Sequence, residues 1–324
     1  MRSPRAIAKP MAVPGRGTKA SESKTAIFAA ILGNLAIAII KFAAAALTGS
    51  SAMLSEAIHS IVDTGNGGLM LLGIRNSRKP PDKEHPFGHG RELYFWTLVV
   101  GVLIFGVGGG MSTYEGITHV LSPSGIEDPT WNYVVLGFSA LFEGTTWYFG
   151  WRAFSIDRGS KGVLEAIHTS KDPTSFSVLL EDSAALIGIA IAFVGIFLGR
   201  TLNQPYLDGV ASILIGLLLC AVAVVMVYES KGLLIGEGVD LKTLEDLRTI
   251  IQSDHDVAHL QHLHTVYQGP ESVTLVIELR FRDTISAREI RIAVGRLKAA
   301  IRARYPEIKR VSFDAESISG HDYD

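Results

Sequence analysis

Two pairs of ionisable side chains interrupt stretches of sequence that are otherwise apolar enough to cross a membrane. The pairs are His59 with Asp63 and Glu181 with Asp182. A charged group at the bilayer centre costs at least ~2.5 to 3.5 kcal/mol on insertion scales, and ionisable residues in spans commonly line a path for ions or protons. Because His59 and Asp63 are four positions apart, a helix places both on one face. Imidazole and carboxylate are ligands that zinc accepts, so this spacing predicts half of a metal site.

Each pair also has an explanation that involves no metal. His59 could hydrogen-bond a neighbouring helix while Asp63 offsets the charge of Lys41. Glu181 and Asp182 point ~100° apart on a helix, so one is expected to complete the ion site while the other meets water or a helix partner. The two acids could instead form a hydrated cluster near a helix end.

A second metal-competent group lies between two apolar stretches and consists of Asp82, His85 and His89. Two prolines and a glycine shape the same segment, which could hold the three side chains in a compact site. A loop of solvated polar residues is the alternative.

A third group lies near the end of the chain. His262 and His264 alternate as they would on one face of a strand, and Asp314 and Glu316 could approach them from another strand. These residues could form a metal site near the C-terminus, or they could cluster in the sequence by chance.

The elements that must position these residues follow from hydropathy. The chain has 324 residues, of which 48% are hydrophobic and 19% charged, and the apolar runs dominate residues 25–228. A helix needs ~20 mostly apolar residues to cross the hydrocarbon. We predict an all-α membrane domain of six spans: Thr25–Leu47, Ser51–Ile74, Leu93–Val120, Tyr133–Phe154, Thr174–Leu198 and Leu207–Tyr228. Asp208 opens the sixth span and is expected to cap that helix.

Lysine and arginine are concentrated in alternate connections between the spans. The 75–92 and 152–172 loops are rich in both, whereas the other connections are nearly bare. Since positive loops stay on the inner side, both termini are predicted to be cytoplasmic. Residues 1–24 carry six Lys or Arg against one acid and are predicted to be a disordered cytoplasmic tail.

After Glu229 the chain turns polar. Residues 240–318 show an α-β-β-α-β order, which predicts a cytoplasmic α+β domain of the ferredoxin-like kind with a regulatory or dimerisation role. The single cysteine excludes a disulfide framework. Because no His-Glu-x-x-His pattern occurs and no nucleophile accompanies the buried acids, we expect neither an enzyme nor a bound cofactor. No nucleic-acid partner is expected.

The stretch from Leu47 to Asp63, the His85-Pro-Phe-Gly-His89 motif, six spans and a small α+β tail together resemble the cation diffusion facilitator family. The likeness covers about residues 25–316. In that family a divalent ion, typically zinc, lies between the second and fifth spans while protons move the other way. The protein is a homodimer there, and its cytoplasmic domains pair.

The resemblance assigns roles to single positions. His59 and Asp63 match the ligands of the second span, and Asp182 matches the acidic ligand of the fifth. Four residues before Asp182 the family has His or Asp, but here the position is Val178, so Glu181 could substitute. Leu-Leu-Glu-Asp at this point resembles the branch with a mitochondrial zinc transporter of animals.

Further matches lie outside the spans. Asp82, His85 and His89 match the family's loop site, whereas the family's tail histidines fall on Gln261 and Ile277.

These features predict a secondary active transporter that exports a divalent metal ion from the cytoplasm in exchange for protons. Zn²⁺ is the expected ion, with Mn²⁺, Fe²⁺ and Co²⁺ as alternatives. The lipid bilayer and a second copy of the chain are the expected partners, and a bacterial inner membrane is favoured over a mitochondrial one. The rival interpretation is a membrane-anchored metal-sensing or scaffold protein without ion flux.

Overall fold

The computed structural model describes residues 17–123, 128–159 and 161–314. Glu316 and residues 1–16 lie outside this part of the chain. Within these residues, eight helices precede the C-terminal tail: α1 (Gly17–Thr48), α2 (Ser51–Ser77), α3 (Glu92–Leu103), α4 (Met111–Leu121), α5 (Thr130–Arg158), α6 (Val163–Thr169), α7 (Pro173–Thr201) and α8 (Tyr206–Ile235). A π-helical stretch, Ile104–Gly110, joins α3 to α4 without a break.

Among the described residues, three helical segments are long and apolar enough to cross a membrane: Glu92–Leu121, Pro173–Thr201 and Tyr206–Ile235. The apolar segment Leu32–Thr48 of α1 is shorter. Helices α2 and α5 lie where the second and fourth spans are predicted, but they contain too many polar residues to count among these three apolar segments. The six-span bundle therefore stays a prediction.

The first helix begins earlier than expected. It starts at Gly17, so eight residues of the segment predicted to be a disordered tail are helical. That stretch contains no proline, and Ala20, Glu22 and Lys24 have high helix propensity.

Helix α2 lies at the centre of the membrane domain. It packs against α1, α3, α4, α7 and α8. Its buried apolar residues, including Ala52, Met53 and Ile58, join a core with Ala184 of α7 and Ile215 of α8. This central position brings side chains from several helices close to the polar residues of α2.

Close approach between α4 and α8 depends on glycine. A side chain at Gly116 would collide with the backbone of Gly209 and Ile213. Small residues that let helix backbones touch are typical of packing between membrane helices.

The tail comprises α9 (Leu241–Gln252), β1 (Val257–Gly269), β2 (Ser272–Phe281), α10 (Ala287–Arg304) and β3 (Ile308–Phe313). The sheet order is β1-β2-β3, with β1 and β2 antiparallel and β2 and β3 parallel. The middle strand is buried on one face through Val273, Leu275, Ile277 and Leu279, against α9 and α10.

The observed order agrees with the predicted α-β-β-α-β pattern. A complete ferredoxin-like fold has one further strand at its start. In the described chain the segment before α9, 236–240, has no regular secondary structure. The ferredoxin-like assignment therefore stays a prediction.

Candidate metal transport site

The first pair of predicted ligands lies on the buried face of α2. His59 is 2% exposed, and its Nδ1 lies 3.3 Å from Oδ1 of Asp63. The helix supplies this spacing, because residues four positions apart stack on one face. The pair is thus formed by α2 alone, as predicted from the sequence.

Several polar atoms of this pair and its surroundings have no hydrogen-bond partner within the described part of the chain. They are both ring nitrogens of His59, Oδ1 of Asp63 and Oδ2 of Asp182. Buried polar atoms are nearly always paired, so each exception needs an explanation. Imidazole nitrogen and carboxylate oxygen are metal ligands, and a transported cation would satisfy them.

The two acids of α7 have different neighbours. Glu181 accepts a hydrogen bond from Asn66 Nδ2 at 3.3 Å, and Asn66 is on α2, three residues after Asp63. Asp182 faces α5, where Glu143 and Thr146 are its neighbours. Glu181 is therefore held against α2, and Oδ2 of Asp182 has no hydrogen-bond partner in the described part of the chain.

Val178 lies on the outside of the bundle and is 48% exposed. The position that carries a ligand in the resembled family thus offers no ligand here. Among the described residues, His59, Asp63, Glu181 and Asp182 do not form a group of three mutually close ligand atoms. Across residues 32–123, 128–159 and 161–314, groups of three mutually close ligand atoms occur only at Asp82, His85 and His89 and at Asp254, His255 and Asp256. The pairs on α2 and α7 would have to approach each other to share one ion.

Sequence reasoning missed a buried ion pair beside this site. Lys41 Nζ lies 3.0 Å from Glu56 Oε2, and both side chains are fully buried. Lys41 therefore has Glu56, not Asp63, as its hydrogen-bonded acid, and its charge also acts on Asp63. Glu143 of α5, 6% exposed, is a further buried acid. The sequence did contain a signal for this group, because Lys41, Glu56 and Glu143 are ionisable residues in the first, second and fourth predicted spans.

Asp208 does not cap its own helix. Its carboxylate accepts hydrogen bonds from Ser50 Oγ at 2.8 Å, Ser51 N at 2.5 Å and Ala52 N at 3.3 Å. It thus binds the N-terminus of α2, where unpaired N–H groups and the helix dipole favour an anion. The expectation of a local cap is wrong because the carboxylate reaches across to the central helix.

The loop site is formed as the sequence suggests. Asp82 Oδ2 lies 3.0 Å from His89 Nε2, and Asp82 Oδ1 lies 3.3 Å from His85 Nδ1. The backbone N–H of His85 and the ring of His89 bond Asp82 and lower the pKa of its carboxyl to about 2. Gly88 has a φ of +87°, which lets the chain turn between the two histidines.

We predict that zinc binding to this loop falls on acidification through the histidines and not through Asp82. The pKa of Asp82 is lowered to about 2, so its carboxylate stays ionised above roughly pH 4 and is lost only as the pH falls through about 2. Zinc binds the neutral imidazole, so a proton on a ligand histidine removes its metal-binding lone pair. Zinc content after dialysis at pH 7.5 and pH 5, measured by mass spectrometry, checks this.

Asp82→Asn should lose about one zinc per chain at pH 7.5 if the three residues form one site. The matched control is Glu84→Gln, which changes an exposed acid in the same loop. Equal zinc content in both variants would show that the loop does not bind the metal.

The structure places the predicted tail histidines beside each other but away from Asp314, and Glu316 lies outside the described residues. His262 and His264 stack with ring centroids 5.9 Å apart on the exposed face of β1. Asp314 follows β3, and β2 lies between β1 and β3, so two strand spacings of about 4.8 Å separate the groups. Glu278 of β2 is the residue opposite His262.

A group that sequence reasoning did not single out lies nearby: Asp254, His255 and Asp256. Arg296 donates to Asp254 through two bonds of 2.6 Å and to Asp256 through one of 2.9 Å. These bonds lower the pKa of Asp254. The arrangement is an ion-pair network that joins α10 to the start of β1.

Imidazole and carboxylate side chains on two helices of a membrane domain, followed by a small α+β domain, define a membrane protein with a candidate ion site. Residues 27–235 match the cation efflux transmembrane domain, and the chain belongs to the cation diffusion facilitator family.

Three relatives illustrate the range of the family. The proton-coupled zinc antiporter SLC30A9, mitochondrial, of mouse is 33% identical over 250 residues, covering 76% of this chain and 44% of the relative. Metal tolerance protein C4 of Arabidopsis thaliana is 28% identical, covering 85% of this chain and 60% of the relative. The manganese efflux system protein MneP of Bacillus subtilis is 24% identical, covering 89% and 94%. The chain spans less than half the length of the mitochondrial relative it matches.

Proposed function

We propose that this protein exports a divalent metal ion, chiefly Zn²⁺, from the cytoplasm across the membrane in exchange for protons. The observation that carries the proposal is the pair His59 and Asp63 on α2, whose ring nitrogens and Oδ1 have no hydrogen-bond partner in the described part of the chain. Glu181 of α7 lies beside the pair through its bond with Asn66. Relatives named as a proton-coupled zinc antiporter and a manganese efflux protein support a divalent cation as cargo. Mn²⁺, Fe²⁺ and Co²⁺ are the alternative ions.

The chemistry of the side chains supports coupling to protons. Metal binding needs His59 neutral and Asp63 and Asp182 ionised, so protons compete with the ion for the same groups. On the cytoplasmic side the ion would displace protons, and on the outer side protons would release the ion. Two conformations that open to opposite sides, with the ion favouring one and protons the other, give exchange.

We further propose that both termini are cytoplasmic and that the protein acts as a homodimer through its tail. The first proposal rests on the positive residues in the 75–92 and 152–172 loops. A bacterial inner membrane remains our expected location, and the relatives include both bacterial and mitochondrial proteins.

Flux into vesicles of the purified full chain tests this proposal. With Zn²⁺ outside and the vesicle lumen acidified, we expect zinc uptake that collapses when an ionophore removes the pH gradient. Replacing Zn²⁺ by Mn²⁺ ranks the ions. Zinc uptake that is no greater than in protein-free vesicles would favour a sensor or scaffold over a transporter.

A further inference from the structure

The Lys41–Glu56 ion pair lies directly beside the proposed transport site. Lys41 Nζ donates to Glu56 Oε2 at 3.0 Å and to Ser60 Oγ at 2.9 Å. Lys41 and Glu56 are fully buried, and Ser60 is 3% exposed. A buried ion pair rarely adds much stability, because desolvation offsets the attraction. Ionisable residues inside a membrane domain more often have a role in moving ions.

The acid of this pair has little room to move toward α7. A methyl group at Gly188 of α7 would collide with Glu56 Oε1, so this oxygen lies against the glycine backbone. Oε1 also has no hydrogen-bond partner in the described part of the chain. Glu56 is thus confined between α1 and α7, whereas Lys41 has a flexible four-carbon stem.

The acceptors near Lys41 form a row along α2. Glu56, Ser60 and Asp63 are spaced by four and three residues, so their side chains follow one another on a single face. Lys41 already contacts the first two of them. The next acceptor in the row is the carboxylate of Asp63, roughly 5 to 6 Å further on between Cβ atoms.

Other charges also act on this region. The positive charge of Lys41 interacts electrostatically with His59 and Asp63 on α2 and with Glu143 on α5. Glu181 and Asp182 of α7 add negative charge near Asp63. When no metal ion is bound, Lys41 is the cation that can reach Asp63 by moving along the row of acceptors on α2.

We propose that Lys41 is a positioning residue that serves as an internal counter-cation of the transport site, held by Glu56 when an ion is bound and moving along Ser60 toward Asp63 when the ion leaves. This inference rests on the proposed function. The lysine competes with the metal ion for Asp63 and thereby weakens binding and speeds release. Glu56 and Gly188 set how strongly the lysine is drawn away from the site.

The test compares a charge-neutral double variant, Lys41→Met with Glu56→Gln, with the wild type. Removing both charges leaves no unpaired buried ion, so the fold is expected to survive. Without the competing cation, zinc should bind roughly tenfold more tightly. In vesicle flux both KM and kcat should fall, because a tighter site releases its ion more slowly. A purely structural pair would leave KM unchanged.

A second variant, Gly188→Ala, should shift the zinc dissociation constant in the opposite direction. Gly188→Ala pushes the end of the Glu56 side chain away, which weakens its hold on Lys41 and should raise the zinc dissociation constant several-fold. If the double variant does not fold, this variant decides. The matched control is Gly137→Ala, because a methyl group there meets no neighbouring atom.

If both variants still transport zinc and have the same zinc affinity and KM as the wild type, the inference is wrong. Failure of the proposed function looks different, since the wild type would then show no zinc flux at all. Lys41→Arg separates charge from reach: it keeps the cation, so its zinc affinity should stay closer to wild type than that of the double variant.

Discussion

Asp63→Asn should reduce zinc flux in vesicles by about 100-fold or more. Asp63 is partly buried on α2, and its Oδ1 accepts no hydrogen bond from the described residues although it lies 3.3 Å from His59 Nδ1. The amide that replaces it carries no negative charge, and it cannot offset the charge of a dication in a site shielded from water. Loss of residues that merely support a metal ligand already costs 10- to 100-fold, and loss of a ligand should cost at least as much.

Two controls accompany Asp63→Asn. Glu165→Gln removes an exposed acid on α6 and should leave flux unchanged. Glu181→Gln should have a smaller effect than Asp182→Asn, because Asn66 already binds Glu181 whereas Asp182 has an unpartnered oxygen. Full flux in Asp63→Asn would place the ion path elsewhere.

Asp208→Ala should cause the largest loss of stability, about 2 to 4 kcal/mol. The carboxylate is fully buried and accepts from the backbone N–H groups of Ser51 and Ala52. Alanine leaves these donors without a partner at a buried helix end, and the favourable contact between an anion and the helix dipole disappears. Thermal unfolding of the purified protein in detergent measures the effect.

Ser50→Ala is the matched comparison for this cap. It removes the bond from Ser50 Oγ to Asp208 and the bond that Ser50 Oγ accepts from Met53 N, but it leaves the backbone donors of Ser51 and Ala52 with their acceptor. We expect a loss of about 1 kcal/mol, within the range for a lost helix cap. Similar losses in the two variants would contradict a separate contribution from the bonds that Asp208 accepts from Ser51 N and Ala52 N.

The helices and the pair on α2 could be predicted because their causes are local. A run of apolar residues predicts a helix of membrane length, and a spacing of four residues places His59 and Asp63 together in any helix. The loop site has the same property, since Asp82, His85 and His89 lie within one short segment. Such features need no knowledge of which helix packs against which.

The missed or wrong features depend on packing between distant segments. Asp208 binds the start of α2 across more than 150 residues, and no local pattern distinguishes that cap from one on its own helix. Lys41 pairs with Glu56 because α1 and α2 pack as a hairpin. The separation of His262 from Asp314 follows from the strand order, in which β2 lies between their strands. Sequence spacing alone does not contain this information.

The location of a bound ion is the most direct test of a transport site between α2 and α7. An anomalous-scattering map of the zinc-loaded protein should show a peak at roughly 2.0 to 2.2 Å from His59 nitrogen and Asp63 oxygen, with an α7 carboxylate completing the shell. The same peak should vanish in Asp63→Asn with Asp182→Asn, while a peak at the loop histidines remains. Zinc peaks confined to the loop in the wild type would rule out this site.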